Sequence, residues 1–145
     1  MLILLAACGA PPSYLKGKKE ISASDRQKLV KVAGSYIGSP YRFGGTNAKG
    51  FDCSGLVYRV YKQALHRSIP RTTQGQFNNS FKIDSDKARS GDLVFFRIKG
   101  SRIDHVGMMI SNYQFIHSSK SNGVTISDFG NEYYRRHFSS IRRLR

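Results

Sequence analysis

Three side chains in this sequence have the chemistry for nucleophilic catalysis: the thiol of Cys53 and the imidazoles of His105 and His117. A cysteine nucleophile needs a base to take its proton and a further group to hold that base in place. Cys53 lies in Phe51-Asp52-Cys53-Ser54-Gly55-Leu56-Val57, after a run, Gly38-Ser39-Pro40-Tyr41-Arg42-Phe43-Gly44-Gly45-Thr46, that breaks both helix and strand. Downstream, Leu56, Val57, Val60, Tyr61, Ala64 and Leu65 recur at helical spacing. The thiol is therefore expected in the first turn of a helix over about 53–65. Unpaired N–H groups and the helix dipole favour an anion there, and thiolate is the reactive form of cysteine.

His105 opens one predicted strand, 105–110, and His117 lies near the end of the next, 114–118. Joined through a three-residue turn, Ser111-Asn112-Tyr113, the strands place Gly107 opposite His117 and His105 two residues along the same face. Val106, Met108 and Ile116 then cover the other face. The two imidazoles can hydrogen-bond, one as base and one as orienting group. A two-residue turn would put them on opposite faces. His66 follows the predicted helix and reads as a solvated C-terminal charge; His137, in a basic aromatic stretch, reads as surface. Taken singly, His105 and His117 would read as structural histidines, but the thiol makes them its candidate partners. The spacing offers no CxxC or HxxxH pattern, so no metal site is expected.

These residues must be carried by a fold. Ser24 or Asp25 can cap a first helix reaching about Ile37, with Leu29, Val32, Ala33 and Tyr36 on its apolar side. Ile69-Pro70-Arg71-Thr72-Thr73 is a break before a short helix to about Asn78. Beyond it the apolar period changes to two. Ser90-Gly91-Asp92 precedes a strand Leu93-Val94-Phe95-Phe96, and Val124 to Ser127 forms a strand after Asn122-Gly123. Glu132 to His137 is one helical turn, and Ser140 to Leu144 a last, basic edge strand. Helices followed by an antiparallel sheet make an α+β domain over residues 23–145.

The 145 residues suffice for one core, not two. With 39% hydrophobic residues, eight Tyr and nine Phe, the chain reads as globular rather than disordered. No apolar run is long enough to span a bilayer. The net charge of +15, from 24 Lys and Arg against nine Asp and Glu, implies residence near a polyanion: nucleic acid, anionic lipid or an anionic cell wall. No nucleic-acid reader motif accompanies it, so nucleic acid is not an expected partner.

Residues 1–8 read as the remnant of an export signal. Leu5-Ala6-Ala7-Cys8 resembles the bacterial lipobox, after which Cys8 is lipidated, although no Lys or Arg precedes the apolar stretch. Residues 9–22 read as a linker. Gly9 after the cysteine directs such proteins to the outer membrane, facing the periplasm. Cys53 is then the one remaining thiol in an exported protein, which argues against a structural pairing.

Tyr41-Arg42-Phe43-Gly44-Gly45, Phe51-Asp52-Cys53-Ser54-Gly55, Ser90-Gly91-Asp92-Leu93-Val94-Phe95-Phe96, His105-Val106-Gly107 and Phe115-Ile116-His117 occur in that order. Together they resemble the NlpC-type cell-wall peptidases, papain-like cysteine hydrolases, over about residues 24–145. Ile69 to Thr73 and Tyr133-Tyr134 resemble the murein endopeptidases of that family in particular. The resemblance implies a papain-like NlpC-type domain with N-terminal helices on an antiparallel sheet. It makes Cys53 the nucleophile, His105 the general base and His117 the orienting residue. It places the Tyr41 hydroxyl near the nucleophile to help stabilise an oxyanion, and makes Asp52 and Ser54 candidate substrate contacts; for Asp52, a helix N-cap is an equal alternative. It implies a peptidoglycan endopeptidase that cuts cross-links between stem peptides, works as a monomer and needs no cofactor. Alternatives are a γ-D-glutamyl-diaminopimelate endopeptidase, an amidase on the same fold, or a non-catalytic wall-binding lipoprotein.

Overall fold

The computed structural model describes residues 20–145. Cys8, the signal remnant and residues 9–19 of the linker lie outside the described residues. Helix α1 spans Ala23–Ser35. Its cap is Ser22 rather than Ser24 or Asp25: the Ser22 hydroxyl accepts the Asp25 N–H at 3.0 Å, satisfying a first-turn donor that would otherwise be orphaned. Leu29 and Ala33 are fully buried, with Val32 and Tyr36 packed beside them.

The loop that follows is not featureless. It folds into a small ribbon, β1 (Thr46–Asn47) and β2 (Gly50–Phe51), which leads straight into helix α2 (Cys53–Leu65). His66 ends α2 in the left-handed conformation, φ 52°, and is exposed. Helix α3 covers Thr73–Asn78 and ends beside strand β3 (Ser80–Ile83), an element not foreseen from the sequence.

Six strands form the main sheet: β3, β4 (Leu93–Phe96), β5 (His105–Met109), β6 (Gln114–Ser119), β7 (Gly123–Asp128) and β8 (Phe138–Leu144), with the short helix α4 (Glu132–His137) before the last. The order is β3-β8-β4-β5-β6-β7, and every pairing is antiparallel. Strand β8, expected at an edge, is interior, because β3 covers its outer side and β4 its inner side.

The two faces of the sheet bury different clusters. Leu93, Phe95, Val106, Met108, Ile116 and Val124 face α1 and α2, meeting Leu29, Leu56, Val57 and Val60. Val94, Phe96, Met109, Phe115 and Ile141 face the other way, toward Phe129, Tyr134 and Phe138. Buried on both sides, β4 reads Leu-Val-Phe-Phe without polar alternation. His137 is half-buried rather than open surface, its Nδ1 3.0 Å from the Arg97 carbonyl oxygen.

The turn into β4 is held by charge. Asp92 is buried and receives Arg143 at 2.7 and 2.9 Å, while Arg26 stands 3.6 Å away and donates to the Ser90 carbonyl at 2.7 Å. Tyr61 of α2 donates to the Gly91 carbonyl at 2.6 Å. One carboxylate thus joins α1, β4 and β8. Removing it strands two guanidiniums, and breaking a buried pair typically costs about 3–5 kcal/mol. Asp92→Ala is expected to lose stability of that order, read as a lower urea midpoint. An unchanged midpoint would show that the cluster adds nothing.

Candidate active site

The glycine-rich loop, the first turn of α2 and the break before α3 meet at Asp52. Its Oδ1 caps α2 by accepting the Gly55 N–H at 2.7 Å, and Oδ2 accepts the Gly44 N–H at 3.0 Å. Arg71 donates to both carboxylate oxygens, each at 3.0 Å, and to the Ser54 hydroxyl at 3.0 Å. A Cβ on Gly55 would collide with the Gly45 carbonyl oxygen, so a glycine is required where loop and helix touch. Asp52 is therefore an N-cap and a clamp, with its acceptor sites filled from within. Ser54 is buried and turned to Arg71.

Cys53 follows as the first residue of α2, half-buried. The Thr73 hydroxyl is 3.5 Å from its Sγ, and the backbone N–H groups of Val106 and Ser54 also bond the sulfur. Val106 is the residue after His105, so the thiol lies against the strand end that carries the first imidazole. Burial raises the thiol pKa above its ordinary value, with Asp52 adding to the rise; the Thr73, Val106 and Ser54 hydrogen bonds pull it down by less. Burial thus opposes the anion that the helix N-terminus favours. Loss of water outweighs the first-turn donors.

The β5–β6 pairing sets Met108 opposite Ile116 and Met109 opposite Phe115, a register that continues to Gly107 opposite His117. This is the register of a three-residue turn. A Cβ on Gly107 would press on the Phe115 ring and the His117 Cβ, so the missing side chain leaves room for the imidazoles. His105 Nε2 and His117 Nδ1 are 2.8 Å apart. His117 is fully buried, and its Nε2 lies 2.9 Å from the Ser127 hydroxyl. Its ring meets that of Tyr134 edge-on, with centroids 4.9 Å apart. Burial lowers His105 to about 4, against a smaller upward pull from Asp104. Burial, and then His105, lower His117 to about 3. Both rings are neutral at physiological pH.

Tyr41 is fixed by its backbone. The Pro40 carbonyl accepts the Phe51 N–H and the Arg42 N–H reaches the Phe51 carbonyl, both at 3.0 Å, setting Tyr41 beside Phe51. Its phenol is half-buried and raised in pKa, first by burial and then by Cys53 and Asp52. The structure therefore gathers Cys53, His105, His117, Tyr41, Asp52 and Ser54 into one region. Arg71, Thr73, Ser127 and Tyr134 belong to it too and were not singled out from the sequence as site residues. Strand parity could have found Ser127: the β6–β7 register sets Thr125 opposite His117, and Ser127 lies two residues along that face. Among the described residues, no cluster of three or more His, Cys, Asp or Glu side chains could hold a metal ion.

The model of the NlpC/P60 family matches residues 38–143. The probable endopeptidase NlpC of Escherichia coli (strain K12) is 37% identical, over 98% of this chain and 94% of its own length. The murein DD-endopeptidase MepS/murein LD-carboxypeptidase of the same strain is 36% identical, over 82% of this chain and 63% of its own length. For several curated relatives the matched part is between about half and two thirds of their length. Among solved structures, one described as similar to lipoprotein, NLP/P60 family, from Staphylococcus aureus superposes with a TM-score of 0.77 at 32% identity, covering 89% of this chain and 44% of that one.

Two imidazoles buried in neutral form make stability depend on pH. In the unfolded chain they titrate near 6.5, and in the fold at about 4 and about 3. Their folded values are depressed, so this contribution is fully present above pH 6.5 and is lost as pH falls through 4 toward 3. The melting temperature of the wild type is expected to drop steeply from pH 6.5 to 4, and that of His117→Asn less steeply. Parallel slopes would mean that His117 is not the buried neutral group described.

Proposed function

Because the chain belongs to the NlpC/P60 family, we propose that it is a murein endopeptidase, hydrolysing amide bonds in the stem-peptide cross-links of peptidoglycan with Cys53 as nucleophile. The observation that carries this reading is the 2.8 Å contact between His105 Nε2 and His117 Nδ1 on the strand that borders the thiol. With Nε2 of His105 engaged, its Nδ1 is the nitrogen left to take the proton from Cys53.

In this scheme the reaction starts from the thiol of Cys53, against the strand end at Val106, and the neutral imidazole of His105 next to it in sequence. As sulfur attacks the scissile carbonyl, its proton passes to His105 Nδ1, and the tetrahedral oxyanion is met by the Cys53 N–H at the start of α2 and by the Tyr41 phenol. The imidazolium of His105 then gives its proton to the leaving amine, leaving a thioester on Cys53. Water deprotonated by His105 attacks that thioester, and collapse returns the thiol and a free carboxylate. Asp52, filled by Gly44, Gly55 and Arg71, acts in this scheme by holding the Tyr41 loop against Cys53.

Lipidation of Cys8 and an outer-membrane position facing the periplasm belong to the same proposal. The Leu5-Ala6-Ala7-Cys8 motif supports them, and the net charge of +15 would keep an anchored enzyme close to an anionic wall.

Digestion of purified muropeptides by wild type and Cys53→Ala tests the reading. Loss of cross-linked dimer with gain of monomer is expected for the wild type, and a rate at least about 1,000-fold lower for the variant. Cleavage within a single stem would favour a γ-D-glutamyl-diaminopimelate bond, and equal cleavage by Cys53→Ala would end the proposal.

A further inference from the structure

The buried imidazole pair does not end at His117. His117 Nε2 meets the Ser127 hydroxyl at 2.9 Å, and the Ser127 hydroxyl in turn bonds the half-buried phenol of Tyr134 from α4. We propose that Ser127 is a positioning residue that selects the tautomer of His117, and through it the nitrogen of His105 able to accept the thiol proton. The inference rests on the reading of Cys53 as nucleophile and His105 as base.

Proton bookkeeping makes the case. For His105 Nδ1 to accept, the single proton of neutral His105 must sit on Nε2, which then donates to His117 Nδ1 across the 2.8 Å contact. His117 Nδ1 must therefore be bare, and its own proton must sit on Nε2. That N–H belongs to a fully buried ring, where an unsatisfied donor is costly. Ser127 Oγ is the acceptor it reaches, and the Ser127 proton is free to point at Tyr134 Oη.

When the thiol proton arrives, the S–H bond breaks and a His105 Nδ1–H bond forms. His105 then carries both ring protons, still donating through Nε2. His117 stays neutral and still donates to Ser127. No proton needs to leave the pair, and the acceptor chain is already aligned for the charged state.

Without the hydroxyl, the opposite tautomer becomes the better one. The His117 proton moves to Nδ1, the bare Nε2 faces the gap, and a lone pair is easier to bury than an N–H. His105 Nε2 must then accept, its proton sits on Nδ1, and the base is blocked. Parity supports the placement, since Ser127 pairs with Phe115 and shares the face of His117, where Tyr134 packs on both rings.

The test combines imidazole nitrogen-15 NMR of the full chain at pH 7 with muropeptide kinetics. In the wild type, His117 is expected as the Nε2–H tautomer. Ser127→Ala should move it to Nδ1–H and lower kcat by about tenfold or more, with KM unchanged. Ser127→Thr should restore both. Should Ser127→Ala fail to fold, Ser127→Cys, a similar shape with a weak acceptor, should show the same shift. A wild-type tautomer and kcat in Ser127→Ala or Ser127→Cys would overturn the proposal. If the wild type cleaves no muropeptide but the tautomer still shifts, the functional reading falls while the selection of the tautomer by Ser127 stands.

Discussion

The Asp52 carboxylate is the constraint on which the rest of the site depends. It is one residue before the thiol, yet it accepts from Gly44 in the loop, Gly55 in α2 and Arg71 before α3. Charge-assisted bonds from a planar guanidinium fix direction as well as distance. Three segments are thereby held together by directional polar contacts at the rim of the core that Phe51, Leu56 and Val57 enter. Ser54 and Gly45 are drawn into the same net by Arg71. A loop this rich in glycine would otherwise retain much of its conformational entropy.

The imidazoles are held by a different force. His105 and His117 sit on β5 and β6 among Phe96, Phe115 and Tyr134, and burial rather than an ion pair sets their charge. Burial acts on Cys53 in the same sense, keeping the neutral form. Burial thus works against the charged form of nucleophile and base alike. A free, low-pKa thiolate is the form of cysteine most exposed to oxidants, and burial of Cys53 opposes that form.

Much of this was legible in the sequence because it followed from period and parity. Helix α2 was readable from Leu56, Val57, Val60 and Tyr61, and the facing of His105 and His117 from a single turn length. What could not be read depended on contacts between distant segments. Arg71 reaches Asp52 across nineteen residues. Strand β3 is only four residues long, so its alternation gave too little signal. The basic run in β8 looked like a solvated edge. Instead Arg143 meets buried Asp92, and Arg142 lies over the Phe77 ring at 4.1 Å while donating to the Ser80 carbonyl. The upward pull of burial on the thiol pKa was not legible for a related reason: the dipole is a local property, whereas desolvation is set by the whole fold.

The interior position of β8 has a consequence for how the molecule is made. Residues 138–144 must enter between β3 and β4, strands that precede them by roughly fifty residues, before β3 gains a neighbour in the sheet and β4 its second. Until then β4 presents an open, wholly apolar edge, the kind of surface that recruits other chains. In a polypeptide made from its N-terminus, this closing strand becomes available last. The helices and the β5–β6 hairpin can form earlier, but the sheet, and with it the pairing of buried Asp92, closes only once Arg143 is in place. Closure of the main sheet is thereby tied to the end of the chain.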